Sequence, residues 1–225
     1  NIIIKNITVK NNASGTNSIG IRLQNSNKNI SIQNNHLEVS KNTPSTTTST
    51  DIMTIISETS LDTNLFILNN NIVGSGGIYI YSSGTSSSTY NININNNNLQ
   101  RIIYYGIYCR YSRVAEIKNN KILQDPMVAI FGGGNGYGLY VYYSYGVSNT
   151  ITDISNNIIR GDFGYFSYFY GCYSNNGTNT NVLFTNNALI KVGSGNVTNM
   201  FYINSGQWQC IHNTFVNVGE GQISN

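Results

Sequence analysis

Three residues have the types and the spacing for acid–base chemistry. Glu116 and Asp153 each stand four residues before the second Asn of a recurring Asn pair, and Lys118 follows Glu116 by two. If the recurring units are stacked strands, the two carboxyls stand roughly 5 Å apart, near the separation used by retaining glycosidases. Such a pair pushes one carboxyl pKa upward and can supply an acid and a base. With Lys118 alongside, the same three residues also read as a surface ion cluster of little energetic worth. A second pair, Asp125 and Asp162, falls five residues past the same landmark, near Arg160. His36 and His212 lie in distant units, and Cys109, Cys172 and Cys210 show no short spacing. No carboxylate group is dense enough for calcium, so neither a metal site nor a cofactor is predicted. The run Phe131-Gly132-Gly133-Gly134-Asn135-Gly136 lacks the Lys-Ser/Thr of a phosphate-binding loop.

The other chemistry-bearing feature is a series of tyrosines that keeps the same beat. One column reads Arg22, Met53, Tyr79, Tyr108, Tyr140, Tyr170, Tyr202, and its neighbour Gln24, Ile55, Tyr81, Arg110, Tyr142, Cys172, Asn204. Tyrosine joins apolar area to a polar tip, which suits wet interfaces and sugar stacking. An exposed row of this kind reads as an interaction surface. Stacked rings that merely stabilise a sheet, or a face covered by another part of the chain, are the alternatives.

Positioning these residues falls to a repeat. An apolar residue, a spacer, two asparagines, a spacer and another apolar residue recur as Ile32-Gln33-Asn34-Asn35-His36-Leu37 and Ile67-Leu68-Asn69-Asn70-Asn71-Ile72. The unit returns at Ile94 to Leu99, Ile117 to Ile122, Ile154 to Ile159 and Phe184 to Leu189. In the last copy, Cys210 to Phe215, His212 replaces the first Asn. The second asparagines (Asn35, Asn70, Asn97, Asn120, Asn157, Asn187, Asn213) recur about every 30 residues, a solenoid period. A second motif, including Ile78-Tyr79-Ile80, Ile107-Tyr108-Cys109 and Leu139-Tyr140-Val141, keeps the same phase. Both alternate apolar and polar with period two, as half-buried strands do, and no stretch holds a helical period. Three short strands per turn describe a three-faced β-solenoid.

The asparagines then have work to do. Every turn needs a sharp corner, and Asn tolerates left-handed backbone better than other non-glycine residues. Stacked at one corner, the amides can bond to one another and to backbone as an inward ladder. Inward columns follow: Ile21, Ile52, Ile78, Ile107, Leu139, Phe169, Phe201 on one face, and Ile32, Ile67, Ile94, Ile117, Ile154, Phe184, Cys210 on the next. Trp208 shares a core position with Ile30, Leu65 and Ile92. Cys109 and Cys210 are expected inside, Cys172 outside.

Composition bounds the rest. Asparagine supplies roughly one residue in six and charged residues only 9%, against about 25% in ordinary domains. A net charge of +3 is too dilute for a nucleic-acid footprint. No apolar run approaches the ~18 residues of a membrane helix, so no membrane insertion is expected.

The pattern "I-x-N-N-x-I" with "G-I-Y-x-x-x-S", over about Ile2 to Val218, resembles the right-handed parallel β-helix of the pectin-lyase-like superfamily. The resemblance implies polysaccharide lyases and hydrolases, viral tailspikes, or non-catalytic adhesin-like surface proteins. The Asp triads and the Arg-Ile-Lys and Gly-His-Gly signatures of the pectinases are missing, and Asn-rich character is closest to the adhesin-like group. The expectation is a single all-β domain over 1–225: a right-handed parallel β-helix of about seven to eight coils with an Asn ladder. Without a recognisable cap at either end, it reads as a segment or subunit of a larger assembly. The functional expectation is a non-catalytic, extracellular or cell-surface structural and adhesive module. Its partners would be glycans or like subunits, the latter stacked head-to-tail as a filament. A polysaccharide-cleaving enzyme using Glu116, Asp153 and Lys118 is the alternative, and a viral tailspike or fibre the third reading.

Overall fold

The computed structural model describes residues 1–12, 18–39, 53–58, 62–74, 76–82, 89–102, 105–124, 135–142, 151–162, 168–175, 181–192, 197–204 and 206–218. Three all-parallel sheets wrap around one apolar interior. Sheet A has eight strands: Ile2–Lys5, Lys28–Gln33, Thr63–Leu68, Thr89–Asn95, Ser112–Lys118, Ile151–Ser155, Asn181–Thr185 and Gln207–Ile211. Sheet B has eight: Thr8–Asn11, His36–Val39, Asn71–Val73, Asn98–Ile102, Lys121–Gln124, Ile158–Asp162, Ala188–Val192 and Thr214–Val218. Sheet C has seven: Ile21–Leu23, Met53–Glu58, Gly76–Tyr81, Tyr105–Arg110, Asn135–Tyr142, Tyr168–Asn175 and Val197–Ile203. The chain visits C, A and B in turn, so each coil pairs with the coils before and after it: a three-faced parallel β-solenoid.

Sheets A and B meet at a corner of two residues, and the two members of the Asn pair divide the labour. The first member takes the left-handed conformation: Asn34, Asn69, Asn96, Asn119, Asn156 and Asn186 have φ between 54° and 59°, and His212 has φ 53°. The second points inward. From Asn35 to Asn213, each ladder amide donates from Nδ2 to Oδ1 of the next at 2.9–3.1 Å. The same Oδ1 accepts the preceding Asn's backbone N–H. The remaining amide proton goes to a strand carbonyl one coil back, as from Asn120 to Ile94 at 2.8 Å. An amide can make two donations and two acceptances, and those of Asn70, Asn97, Asn120, Asn157 and Asn187 make all four, which removes the cost of burying them. At the first coil Ile7 occupies the ladder place, its N–H bonded to Asn35 Oδ1 at 3.1 Å.

A second, outer stack was not foreseen. Asn29, Asn64 and Asn91 share φ 54° near the starts of sheet A strands. Asn64 Nδ2 donates to Asn29 Oδ1 at 2.7 Å, and Asn91 Nδ2 to Asn64 Oδ1 at 2.8 Å.

The sheet A core column is the expected one, running Ile32, Ile67, Ile94, Ile117, Ile154, Phe184, Cys210 in register. Trp208 takes the core position aligned with Val182 and rests against Phe184 and Phe201. Cys109 is fully buried, its thiol pushed up to about 12 by desolvation. Cys210, expected inside, keeps its inward register but is exposed, because its strand edges the sheet.

Sheet C corrects the expected alignment twice by three residues. Ile55, not Ile52, stands between Ile21 and Ile78; Ile52 lies outside the described residues. Cys172, not Phe169, pairs with Leu139 and Phe201, so Cys172 holds the register position expected for Phe169. Asp125 and residues 131–134 of the glycine-rich run also lie outside the described residues, and Asn135 and Gly136 of that run open a sheet C strand.

A glycine precedes the inward residue of several sheet C strands for a steric reason. A Cβ on Gly106 would run into the Gly138 carbonyl and approach Ile122 Cγ2 to 2.5 Å, and one on Gly77 would meet Leu99 Cδ2 at 2.8 Å. Coils at this spacing leave no room for a side chain there.

Candidate functional site

Register rebuilds the tyrosine column as Arg22, Ile56, Tyr79, Tyr108, Tyr140, Tyr173, Tyr202. Tyr170, expected in it, instead pairs with Tyr137 and Asn199. The three-residue slip has the same source as that of Cys172: Phe169-Tyr170 and Cys172-Tyr173 are both an apolar residue followed by tyrosine. The neighbouring column reads Glu58, Tyr81, Arg110, Tyr142, Asn175, replacing the expected Ile55 and Cys172.

Strands 4.8 Å apart bring aromatic side chains into stacking range. Tyr79 and Tyr108 stack with centroids 4.3 Å apart at 9°, and Tyr108 and Tyr140 at 4.8 Å and 7°. A second row runs beside the first, Tyr105 stacking on Tyr137 at 5.2 Å. Its rings meet the first row edge-on: Tyr105 with Tyr108 at 4.8 Å, and Tyr137 with Tyr140 at 5.0 Å. The face is not the open stripe expected from sequence. Tyr79 is 8% and Tyr108 5% exposed, and with Met53 and Ile56 they form a second apolar cluster outside the main core. Tyr81, Tyr105 and Tyr140 are half-buried and line its margin, with half-buried Tyr137 against Tyr105 and Tyr140.

Arg110 organises that margin. Its guanidinium lies over the rings of Tyr111 at 4.8 Å and Tyr81 at 5.5 Å, and it donates to the Tyr111 hydroxyl at 3.2 Å. It is also hydrogen bonded to Tyr108, which bonds Tyr79 in turn. Tyr111 has φ 50°, uncommon for a bulky residue, and this conformation sets its ring over Arg110. Burial is the largest cause holding the Tyr79 and Tyr108 phenols above their usual range, so both stay protonated and serve as packing and hydrogen-bonding groups.

On sheet A the structure brings Glu116 and Asp153 into register, as the spacing predicts. It also puts Lys118 between them, Nζ standing 2.9 Å from Glu116 Oε1 and 2.8 Å from Asp153 Oδ2. Asn95 ties the cluster down, donating to Glu116 Oε2 at 2.9 Å and accepting the Lys118 N–H at 2.9 Å. The hydrogen bond to Asp153 is the chief cause raising the Lys118 pKa. An ammonium between two carboxylates offsets their mutual repulsion. The geometry is that of an ion triad.

Among the described residues, no group of three or more His, Cys, Asp or Glu could hold a metal ion. Comparisons with protein-family models, with curated proteins and with solved structures find no match to this chain. What fold and site define is therefore a class, a three-faced parallel β-solenoid with an inner Asn ladder and an outer tyrosine slab.

Proposed function

We propose that this chain is a non-catalytic β-solenoid scaffold of the pectin-lyase-like kind, working at the cell exterior, that holds glycans against the aromatic margin of sheet C. The observation that carries this reading is the two-row slab. Buried Tyr79 and Tyr108 form a rigid base, and Tyr81, Tyr105, Tyr137 and Tyr140 present ring area with hydroxyl tips around it. Rings held in fixed orientation lose little entropy on stacking against a sugar. A glycan array should show binding by the wild type that falls by about two orders of magnitude when Tyr105, Tyr137 and Tyr140 are changed to Ser, with the far-ultraviolet circular dichroism unchanged. Equal binding by that variant refutes the reading.

The enzyme reading needs the Lys118 triad to open; release of reducing ends from a polysaccharide, lost in Asp153→Asn, would put it first.

A further inference from the structure

A separate pocket lies on sheet A, away from the tyrosine slab. Its walls come from three consecutive strands in register, where Ile151, Asn181 and Gln207 form one row and Leu183 and Gln209 align with Asp153 in another. Val182 and Trp208 lie between the rows, Trp208 anchored below by Phe184 and Phe201. The pocket encloses about 160 Å³, lined by Ile151, Asn181, Val182, Gln207, Trp208 and Gln209. That is well under the ~300–1,000 Å³ of sites for drug-sized ligands, and suits one small ring.

The lining chemistry narrows the occupant. Three carboxamides, Asn181, Gln207 and Gln209, each offer donors and an acceptor, the combination that hydroxyl groups satisfy. Among the described residues that line the pocket none is charged, so none of them would repay the desolvation of an ionised ligand. Ile151 is 57% exposed, an apolar surface beside the amides, and Val182 and Trp208 close the pocket between the two rows. A pyranose ring has the matching form, with a C–H face for the apolar side and hydroxyls around its edge.

We propose that this pocket is a subsite for a single neutral sugar ring. It is independent of the sheet C reading, since it shares no residue with the slab. Trp208 is the chain's single tryptophan, so its fluorescence reports on this pocket alone. Titration with galactose, mannose and N-acetylglucosamine, with glucuronate as the charged control, should give a saturable emission shift for at least one neutral sugar and none for glucuronate. Asn181→Ala with Gln209→Ala should weaken the response at least tenfold. The variant with Tyr105, Tyr137 and Tyr140 changed to Ser should keep it, which separates a failure here from a failure of the slab. No saturable shift with any of the three sugars overturns the proposal, as does an undiminished response in the Asn181/Gln209 variant. A response to glucuronate equal to that of the neutral sugars overturns the assigned class.

Discussion

Asn119 and Asn120 are adjacent and chemically identical, yet the corner gives them opposite duties. Asn120 is buried with all four amide capacities used, whereas Asn119 is exposed with φ 55°. Asn120→Ala strips the acceptor from two groups of Asn97 and the donor from Ile94 and Asn157. At about 1–3 kcal/mol per stranded buried group, a loss of about 3–5 kcal/mol is expected in chemical denaturation. Asn119→Gly, which keeps the left-handed conformation without strain, should stay within about 1 kcal/mol of wild type. Phase in the sequence revealed that the pair was special. It could not assign the αL role to one member, because both residues tolerate that conformation. Lys191 was illegible for another reason: it sits at an inward position of sheet B, between Gly161 and Asn217, with no accessible surface. Desolvation lowers its pKa from the usual 10.5. The unfolded chain therefore binds the extra proton between the lowered value and 10.5, so stability rises with pH through that window. The stability of wild type relative to Lys191→Met should therefore rise as pH approaches 10.5. A pH-independent difference would contradict it.

At the scale of the strand, legibility follows the constancy of the connections. Sheets A and B are joined by two residues in every coil, and their core column came out in the expected register. Sheet C is flanked by connections of varying length, so counting from the Asn pair does not reach it reliably. Segments such as Phe169-Tyr170-Gly171-Cys172-Tyr173-Ser174 fit the alternation in either of two frames. What fixes the frame is contact between coils, including the steric need for glycine before the inward residue, which a one-dimensional pattern does not contain. Gly106→Ala should therefore cost more than the ~1–3 kcal/mol of ordinary overpacking, because one of its clashes is with the Gly138 backbone. A thermal melt showing no loss would remove that account of the motif. Burial of the slab was equally hidden, since outward parity says which way a side chain points and nothing of what lies over it. Tyr108→Ala, emptying a site stacked on both sides, should destabilise by about 3–5 kcal/mol, and Tyr140→Ser by appreciably less.

For the whole molecule, the solenoid is a device for repetition. One core column, one ladder and one slab are each extended by a strand per coil, so interactions too weak singly are summed along the axis. The candidate carboxylates came into register through the same repetition, and the lysine two residues from one of them turned the pair into an ion triad. The place proposed for a glycan is the aromatic margin of sheet C. Hydrogen exchange read by mass spectrometry, with and without a glycan that the protein binds, locates the contact directly. Added protection is expected in the strands Tyr105–Arg110 and Asn135–Tyr142, with Lys121–Gln124 on sheet B unchanged. Protection confined to sheet B, or a bound glycan that leaves both sheet C strands exchanging at their free rates, would contradict it.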